Sequence, residues 1–350
     1  MKKIGICFIG CGNHANRFVY PALSGLPDAA LLAVCSLDPE EAETNRRRHG
    51  AAHAYTDYRE MIRRERPEAV IVVGPPQLHF EAGAFCIECG IPFYTEKPSG
   101  ADVRQARELA GRAEAAGVYG QVGFMIRHSA VIREAGRLMA EHRTGAPEYG
   151  IVRYFTSGPY RSDEIYGMPG TDDLSFLRRY LAVQAVHPVN LAASFLGDIA
   201  EVTSEVRFSG ENILTEIRLK DAAGKRMNAL LHTFVAPEYG NLKFGTELFF
   251  ADRSMIFTNA FASLDYYPPA PSPHGNSHHW EFAAFGNSNI KMGYETELRY
   301  FLDCVRGNEP REGLATLRDS LKTMEILETV ANEQEKREHD SQNSDIQRAG

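Results

Sequence analysis

A glycine-rich turn near the start of this 350-residue chain constrains its fold more than any other stretch. Residues 4–9 have the apolar composition of a buried strand, and a helical pattern begins near Phe18; between them lies the run Gly10-Cys11-Gly12-Asn13-His14-Ala15. A G-x-G-x-x-A sequence between a strand and a helix is typical of dinucleotide-binding domains. The first glycine permits the turn, the second lets the backbone approach a pyrophosphate, and amides at the helix N-terminus bind the phosphates. We therefore predict that residues 10–14 bind a dinucleotide.

Short apolar runs alternate with helical patterns through the rest of the first half. Strands are predicted at residues 31–35, 69–73, 92–95 and 119–123, with helices between them. Strands and helices that alternate in this way favour a doubly wound parallel sheet. We predict a Rossmann-type NAD(P)-binding domain over residues 1–125, a second domain over residues 126–338 and a polar tail over residues 339–350.

The end of the second predicted strand bears on the choice of cofactor. An acid at this position hydrogen-bonds the ribose 2′-OH of NAD and repels the 2′-phosphate of NADP. Here Ser36 stands at the strand end, and Asp38 follows two residues later. We predict that Ser36 and Asp38 contact the cofactor. Serine is compatible with either cofactor, so the sequence leaves the choice between NAD and NADP open.

The run Tyr94-Thr95-Glu96-Lys97-Pro98 follows a predicted strand and supplies the first catalytic candidate. The carboxyl end of a strand in a parallel sheet faces the crevice where such sheets bind ligands, so we expect the amine of Lys97 there. The proline restricts Lys97 to extended backbone angles, which stiffens the presentation of the amine. A surface lysine before a turn is the alternative that this stretch alone leaves open.

From about residue 148 the pattern changes to strands joined by turns. Strands are predicted at residues 149–156, 201–208, 213–220, 226–235, 242–250 and 254–258, and helices at residues 176–195, 295–306 and 314–334. The pattern predicts an α+β domain with a large, mainly antiparallel sheet that has helices on one face only. We expect the open face to form a homodimer or homotetramer. A long irregular segment over residues 267–292 is interpreted as a lid.

The overall composition narrows the classes of partner. The net charge of −8 disfavours nucleic acid, because phosphate binding requires a basic face. No apolar run is long enough to span a membrane, and the N-terminus has no signal-peptide pattern. The six cysteines lack a disulfide framework, and the Cys86–Cys89 pair lacks a second pair at zinc-binding spacing. We therefore expect a cytoplasmic protein without a metal site.

In their order and spacing, these motifs resemble the glucose–fructose oxidoreductase / inositol dehydrogenase (Gfo/Idh/MocA) family. The matching pieces are the turn at residues 10–15, Pro75 with His79, Glu96-Lys97-Pro98, residues 123–127, His187 and the stretch from residue 293 to residue 327. The resemblance implies NAD(P)-dependent oxidation or reduction of sugars, polyols or their derivatives. It implies that Lys97 lies beside the nicotinamide, that the Lys97–Pro98 bond is cis, and that the cofactor site includes Gly74, Pro75, His79 and Glu96.

The second half contributes candidates for substrate binding and proton transfer. Pro188 is predicted in the first turn of a helix, which places His187 at the helix start, where it can exchange a proton with a ligand. Gln184 is expected to orient substrate hydroxyl groups. Further candidates for the substrate wall are Arg127, Tyr160 and Tyr166. Arg127 is equally well explained as part of a structural ion pair.

Two positions near His187 depart from the family pattern. Its dehydrogenases usually carry an aspartate four residues before this histidine and another three residues after it, whereas Val183 and Asn190 stand there. Gln184 can form hydrogen bonds but cannot supply the negative charge that would raise the basicity of His187 or Lys97. The site therefore lacks one expected charge.

Three functional hypotheses follow. The first is an NAD(P)-dependent oxidoreductase of a carbohydrate-like alcohol or ketone, in which Lys97 acts on the substrate oxygen and His187 exchanges a proton or holds the substrate. The second is a sensor that binds NAD(P) and a sugar without turnover, which the missing aspartate favours. The third uses a retained cofactor for transient oxidation that drives cleavage of a glycosidic bond.

Overall fold

The computed structural model describes residues 2–157, 174–209, 212–234, 243–269, 277–282, 292–307 and 313–349. The chain divides into two compact units. The first contains the described residues up to Ala130 and those between residues 292 and 321; the second contains those between Val131 and residue 282, and those from Lys322 onward. The division into residues 1–125, 126–338 and 339–350 stays a prediction.

The first unit is built on a six-stranded sheet. Its strands are β1 (Ile4–Ile9), β2 (Ala29–Cys35), β3 (His53–Tyr55), β4 (Ala69–Val72), β5 (Phe93–Glu96) and β6 (Gly120–Gly123). All neighbouring strands are parallel, in the order β3-β2-β1-β4-β5-β6. The strands β1, β4, β5 and β6 are buried along their whole length, as in a sheet covered on both faces. The predicted Rossmann sheet is confirmed.

The helices are described here in chain order for both units. They are α1 (Tyr20–Ser24), α2 (Pro39–His49), α3 (Tyr58–Glu65), α4 (Pro76–Glu88), α5 (Val103–Ala116), α6 (Ala130–His142), α7 (Phe176–Tyr180), α8 (Val186–Leu196), α9 (Tyr294–Val305) and α10 (Leu317–Ala349). A π-helical turn, Ala15–Val19, precedes α1, and a 3₁₀ turn, Met125–His128, precedes α6. Asp38, Asp57 and Asp102 cap α2, α3 and α5 by accepting hydrogen bonds from backbone N–H groups.

The second unit is built on an eight-stranded sheet. Its strands are β7 (Tyr149–Ser157), β8 (Glu201–Ser209), β9 (Asn212–Lys220), β10 (Arg226–Phe234), β11 (Lys243–Phe249), β12 (Met255–Asn259), β13 (Ser263–Tyr267) and β14 (His278–Glu281). Their order is β14-β13-β12-β11-β7-β10-β9-β8, and only the β7–β10 pair is parallel. The predicted, mainly antiparallel sheet is confirmed. Helix α8 packs against β7, β9 and β10 on one face, whereas Tyr149 on the other face is exposed.

One part of the predicted lid is a strand. Residues 278–281 form β14, the edge strand that pairs with β13. The lid interpretation of residues 267–292 is therefore wrong for this part of the segment. The sequence His278-His279-Trp280-Glu281 has too few apolar residues to show a strand period, and its strand conformation depends on pairing with β13.

Candidate functional site

The dinucleotide turn has two glycines that play different structural roles. Gly10 has φ +107°, and a Cβ on it would lie 1.8 Å from the carbonyl oxygen of Val73. This position therefore requires glycine. Gly12 is exposed, and a Cβ on it would meet no atom within 4 Å. The backbone at Gly12 thus faces open space, which is the condition for close approach of a pyrophosphate.

The residues around these glycines divide into buried supports and exposed groups. The thiol of Cys11 is buried, with its Sγ 3.7 Å from the hydroxyl of Tyr20 and 3.7 Å from the carbonyl of Cys35, so only its backbone can contact a ligand. Asn13 and His14 are exposed at the start of the helix. The predicted turn thus offers backbone groups and these two side chains to a cofactor.

The end of β2 is organised differently from the sequence-based expectation. The hydroxyl of Ser36 donates a hydrogen bond to the carboxylate of Glu41 in the first turn of α2. The carboxylate of Asp38 accepts from the N–H groups of Glu40 at 2.8 Å and Glu41 at 3.4 Å, and so caps α2. Glu41 was not singled out from the sequence. It lies within α2. Its position relative to the end of β2 depends on where that helix begins, which the sequence does not show.

Lys97 follows β5 directly and is half-buried. Its peptide bond to Pro98 is cis, as the resemblance implied. Its backbone N–H donates to Oε2 of Glu96 at 3.2 Å, whereas its Nζ has no hydrogen-bond partner among the described residues. Burial lowers the pKa of the Lys97 amine below its ordinary value, although the negative charge of Glu96 opposes this shift. The amine is therefore easier to deprotonate than that of an exposed lysine.

Glu96 belongs to a buried network within the first unit. Its Oε1 lies 3.5 Å from Nε2 of His14 and 3.3 Å from the hydroxyl of Tyr94. Burial alone would raise the pKa of Glu96, but the hydrogen bond from His14 and the nearby positive charges lower it to about 2. The hydroxyl of Tyr94 is also 3.1 Å from Oε2 of Glu297 on α9. Glu96 is thus an ionised carboxylate next to Lys97.

Glu297 is a second buried carboxyl group in this network. Its Oε1 accepts a 2.6 Å hydrogen bond from the N–H of Phe124 and lies 3.8 Å from Nε2 of His128. Burial and the negative charge of Glu96 raise the pKa of Glu297 well above its ordinary value. Sequence reasoning had placed Glu297 only in a family-like stretch, although a glutamate on the apolar face of α9 is a signal for a buried acid.

Both ring nitrogens of His79 form hydrogen bonds with the backbone of the neighbouring loops. Its Nδ1 lies 2.7 Å from the carbonyl oxygen of Pro98, and its Nε2 accepts a 3.1 Å hydrogen bond from the N–H of Gly74. Since a carbonyl only accepts, Nδ1 carries the proton, and the ring is neutral. Burial lowers the pKa of His79 to about 4, in agreement with this state. This segment contains three predicted cofactor contacts. Gly74 and Pro75 are exposed, whereas His79 is buried.

Arg127 is engaged within the first unit. Its side chain is 7% exposed and pairs with Asp319 at 3.4 Å, and its Nη1 donates to the carbonyl of Leu314 at 3.4 Å. This geometry favours the structural ion pair over the substrate wall. The predicted substrate contact of Arg127 is not supported by its position.

His187 lies in the second unit, within a helix that is continuous from α7 to α8 through a π-helical turn, Leu181–Ala185. Pro188 is in the first turn of α8, as predicted, but the residues before it are helical too. The expectation that His187 lies at the mouth of the helix is therefore wrong. Pro188 has no N–H for the carbonyl of Gln184, and the turn before it widens to an i,i+5 bond from Val186 to Leu181.

The residues near His187 are buried in the second unit. The His187 ring stacks on Tyr154 of β7 with centroids 5.5 Å apart, and Gln184 is buried in the π-turn. Asn190 donates to the hydroxyl of Thr323 at 2.9 Å, so it serves as a packing residue. Lys97 and His187 belong to different units, and their joint action in one active site stays a prediction. The predicted substrate contacts Tyr160 and Tyr166 lie outside the described residues.

Other classes of site find little support in the described part of the chain. No group of three or more His, Cys, Asp or Glu side chains is arranged there to hold a metal ion. Within the described residues, none of the helices is both long enough and apolar enough to cross a bilayer. All six cysteines are free thiols, Cys86 being buried and Cys89 exposed at the end of α4.

Comparisons with known proteins agree with the first unit's fold and turn. Residues 4–124 match the model of the oxidoreductase family with an NAD-binding Rossmann fold, GFO_IDH_MocA. Scyllo-inositol 2-dehydrogenase (NADP(+)) IolU of Bacillus subtilis is 31% identical over 115 residues, which is 33% of this chain and 35% of that protein. Inositol 2-dehydrogenase of Ralstonia nicotianae is 24% identical over 319 residues, covering 87% of this chain and 86% of that protein.

A solved structure extends the likeness of fold to the whole chain. The dehydrogenase from Chromobacterium violaceum has a TM-score of 0.87 at 20% identity, over 99% of this chain and 100% of that one. At this identity the likeness shows the fold alone. Over residues 4–124, which match the Gfo/Idh/MocA family model, the resemblance found in the sequence is confirmed. The open backbone at Gly12 and the exposed Asn13 and His14 fit the nicotinamide dinucleotide, NAD or NADP, that this family binds.

Proposed function

We propose that this protein is an NAD(P)-dependent oxidoreductase that interconverts an alcohol and a ketone of a sugar, a polyol or a sugar derivative. The observation that carries the proposal is the position of Lys97. Its amine follows β5 at the carboxyl edge of the same sheet whose first turn leaves the backbone at Gly12 open for a dinucleotide. When bound, the cofactor supplies the hydride acceptor or donor.

Lys97 would handle the proton of the substrate oxygen. Because burial lowers the pKa of its amine, a neutral fraction is available to accept a proton from the substrate hydroxyl as the alcohol is oxidised. In the opposite direction the ammonium donates that proton to the forming alkoxide. The carboxylate of Glu96 stabilises the ammonium form, and so keeps the pKa of Lys97 from falling further. The two residues together set the pH range in which both protonation states exist.

His187 would act on the substrate from the second unit, as a proton donor and acceptor or as a clamp. Gln184 lies about one turn before His187 and carries the polar side chain of the π-turn. It would orient the hydroxyl groups of the substrate. A polyol or sugar substrate is supported by the two relatives described above, both of which are inositol dehydrogenases by name. Val183 and Asn190 separate this chain from the usual pattern, so the substrate is expected to differ from those of well-studied members.

The test is a turnover assay at 340 nm with NAD⁺ and NADP⁺ against a panel of inositols, sugars, amino sugars and keto sugars. Wild type is expected to reduce one cofactor with at least one panel member. Lys97→Met should lose this activity while it still binds NADH. Lys322→Met is a matched control, because Lys322 is an exposed lysine that pairs with Asp198. If the Lys97 variant turns over at the wild-type rate, the assigned role is wrong.

A sensor that binds NAD(P) and a sugar without turnover is the second candidate. The observation that favours it is Val183, an uncharged residue where the family's dehydrogenases usually carry an aspartate. For a sensor, the panel would give saturable ligand binding by calorimetry without a signal at 340 nm. Lys97→Ala would then leave ligand affinity unchanged.

The proposal includes assembly through the open face of the eight-stranded sheet and a cytoplasmic location. The open face carries aromatic side chains, among them the exposed Tyr149 and Tyr267. Large exposed apolar residues on a sheet are typical of protein interfaces. Light scattering with size-exclusion chromatography should give a dimer or tetramer, and a Tyr149→Glu variant should shift the mass toward the monomer. The six free thiols support the cytoplasmic location.

A further inference from the structure

The carboxyl end of β2 carries a hydrogen-bonded pair, Ser36 and Glu41. The hydroxyl of Ser36 donates to Oε2 of Glu41 and accepts from the N–H of Asp38 at 3.4 Å. The carbonyl of Cys35, the residue before Ser36, accepts a 2.8 Å hydrogen bond from the N–H of Gly10. The pair therefore lies beside the turn that receives the dinucleotide.

Glu41 lies close to this turn. Burial raises the pKa of the Cys11 thiol to about 11, and the negative charge of Glu41 adds to the rise. Asn45, one helical turn after Glu41, donates to the carbonyl of Cys11 at 3.4 Å and to that of Glu41 at 2.9 Å. The face of α2 that holds Glu41 and Asn45 thus packs toward the Gly10–Gly12 turn, and the negative charge of Glu41 is held at the β2 end.

The segment that follows β2 has no arginine or lysine to receive a 2′-phosphate. Residues 36–41, Ser-Leu-Asp-Pro-Glu-Glu, contain three acids and no basic residue. Leu37, directly after Ser36, is 94% exposed and offers only an apolar surface.

The arginines of α2 are engaged elsewhere. Arg46 and Arg47 both pair with Glu43 at 2.7 Å. Arg48 donates to Asn16 at 3.3 Å, and it follows Glu41 by seven residues, about 10 Å along the helix axis away from the β2 end. Glu43 therefore neutralises Arg46 and Arg47, whereas Arg48 is bound to Asn16, whose amide donates to the carbonyls of Cys11 and Gly12.

We propose that Glu41, held in place by Ser36, makes this protein select NAD over NADP. A carboxylate at this edge accepts a hydrogen bond from the ribose 2′-OH of NAD, whereas the 2′-phosphate of NADP brings about two negative charges against it. Glu41 thereby does from the helix what an acid at the strand end does in other dinucleotide-binding sheets. The inference rests on the dinucleotide binding in the proposed function and is independent of the substrate.

The test is a titration of the full-length protein with NADH and with NADPH, followed by nicotinamide fluorescence at about 0.15 M salt, where remote charges are screened. Wild type should bind NADH at least about tenfold more tightly than NADPH. Glu41→Gln keeps an acceptor for Ser36 but removes the charge, so the preference should shrink at least about threefold, mainly through tighter NADPH binding. Ser36→Ala should weaken NADH binding a few-fold, about 1 kcal/mol or less, because Glu41 loses its hydrogen bond. Glu40→Gln, an exposed acid in the same helical turn, should leave the preference unchanged.

Three results would overturn the inference. The first is a wild-type protein that binds NADPH as tightly as NADH, since it would show no selection between the two cofactors. A preference that Glu41→Gln leaves intact, in a variant with wild-type circular dichroism and melting temperature, would assign the selection to other residues. Failure to bind either dinucleotide would overturn the proposed function as well, whereas binding of NADH without turnover of any panel substrate would overturn only the proposed reaction.

Discussion

The hydroxyl of Tyr94 lies 3.1 Å from a carboxyl oxygen of Glu297 and 3.3 Å from one of Glu96. A phenol has a single proton, so it can donate to only one of the two carboxyl groups. The other group must carry a proton of its own to complete the second hydrogen bond. Glu96 is held ionised by His14, with a pKa of about 2, whereas burial raises the pKa of Glu297. Glu297 is therefore the neutral acid, and its proton points at the oxygen of Tyr94.

This assignment predicts how stability depends on pH. In the unfolded chain Glu297 ionises near pH 4.3, but in the folded chain it keeps its proton to a higher pH. Above the unfolded pKa the folded state thus binds the extra proton, and the group's contribution to the free energy of unfolding falls as pH rises, by up to about 1.4 kcal/mol per pH unit. The fall ends where the folded group ionises.

A Glu297→Gln variant measures this contribution. The amide is a neutral isostere that can still donate to Tyr94 and accept from the N–H of Phe124. We expect unfolding in urea at pH 5–8 to show a flatter pH dependence for Glu297→Gln than for wild type, with the variant gaining relative stability as pH rises. Glu295→Gln, on the same helix, is the control. Parallel pH profiles of wild type and Glu297→Gln would contradict the assignment.

The two glycines of the dinucleotide turn form a matched pair of substitutions. A methyl group at residue 10 would overlap the carbonyl of Val73 on a backbone with positive φ, so Gly10→Ala should destabilise the fold by about 3 kcal/mol or more. At residue 12 the methyl group enters open space. Gly12→Ala should therefore keep the wild-type melting temperature and weaken NADH binding at least about tenfold.

Calorimetric melting and an NADH titration of both variants check this prediction. Unchanged NADH affinity in a folded Gly12→Ala variant would show that the cofactor does not approach this part of the backbone. A Gly10→Ala variant as stable as wild type would contradict the close approach to Val73.

His79 predicts an acid-sensitive contribution to stability. Its folded pKa is about 4, and its ordinary value is 6.5. Between these values the unfolded state binds the extra proton, so stability is lost as pH falls from about 6.5 to 4, by about 3 kcal/mol in total from this group. A His79→Phe variant should lose about 2–4 kcal/mol at pH 7, because the N–H of Gly74 and the carbonyl of Pro98 lose their partner.

The diagnostic result is the shape of the acid limb rather than the loss at pH 7. Denaturation of His79→Phe between pH 4 and 6.5 should show a shallower slope than wild type, and the slopes should agree between pH 7 and 8, where His79 is neutral in both states. An equally steep acid limb in the variant would mean that other groups carry the proton uptake.

The charge of Glu96 is expected to set the pH range over which the amine of Lys97 reacts. Since the carboxylate raises the pKa of Lys97 against burial, Glu96→Gln should lower that pKa further. The labelling rate of Lys97 by trinitrobenzenesulfonate, followed by mass spectrometry across pH, should rise at a lower pH in Glu96→Gln than in wild type. Glu88→Gln, an exposed glutamate at the end of α4, should leave the profile unchanged. A shift to higher pH would contradict the proposed role of Glu96.

The sequence predicts the sheet of the first unit well, because the patterns that indicate it are local. The buried strand before Gly10, the two glycines and the proline after Lys97 each constrain the backbone within a few residues, and the structure confirms the sheet that they predict. The short strand β3 was missed, because its three partly exposed residues carry little apolar signal. The strand β14 was missed because pairing with β13 defines it.

The parts of the site that the sequence did not predict depend on long-range contacts or on helix geometry. Glu297 meets Tyr94 across 203 residues of chain, and no local pattern shows such a meeting. The partnership of Ser36 with Glu41 depends on where α2 begins, and the carboxylate of Asp38, a predicted cofactor contact, caps that helix. A helix start was expected at Pro188, because proline is common in the first turn of a helix. A π-turn that accommodates the missing N–H of a proline has no sequence signature of its own.

The most direct test of the central claim compares wild type with Lys97→Met on the best substrate of the panel. The claim is that Lys97 transfers the proton of the reacting oxygen in a nicotinamide-dependent reaction. We predict that kcat falls at least about 100-fold in Lys97→Met, a typical loss for a general acid–base group, while the Kd for NADH stays within about twofold of wild type. A Lys97→Met enzyme with the wild-type kcat would contradict the claim.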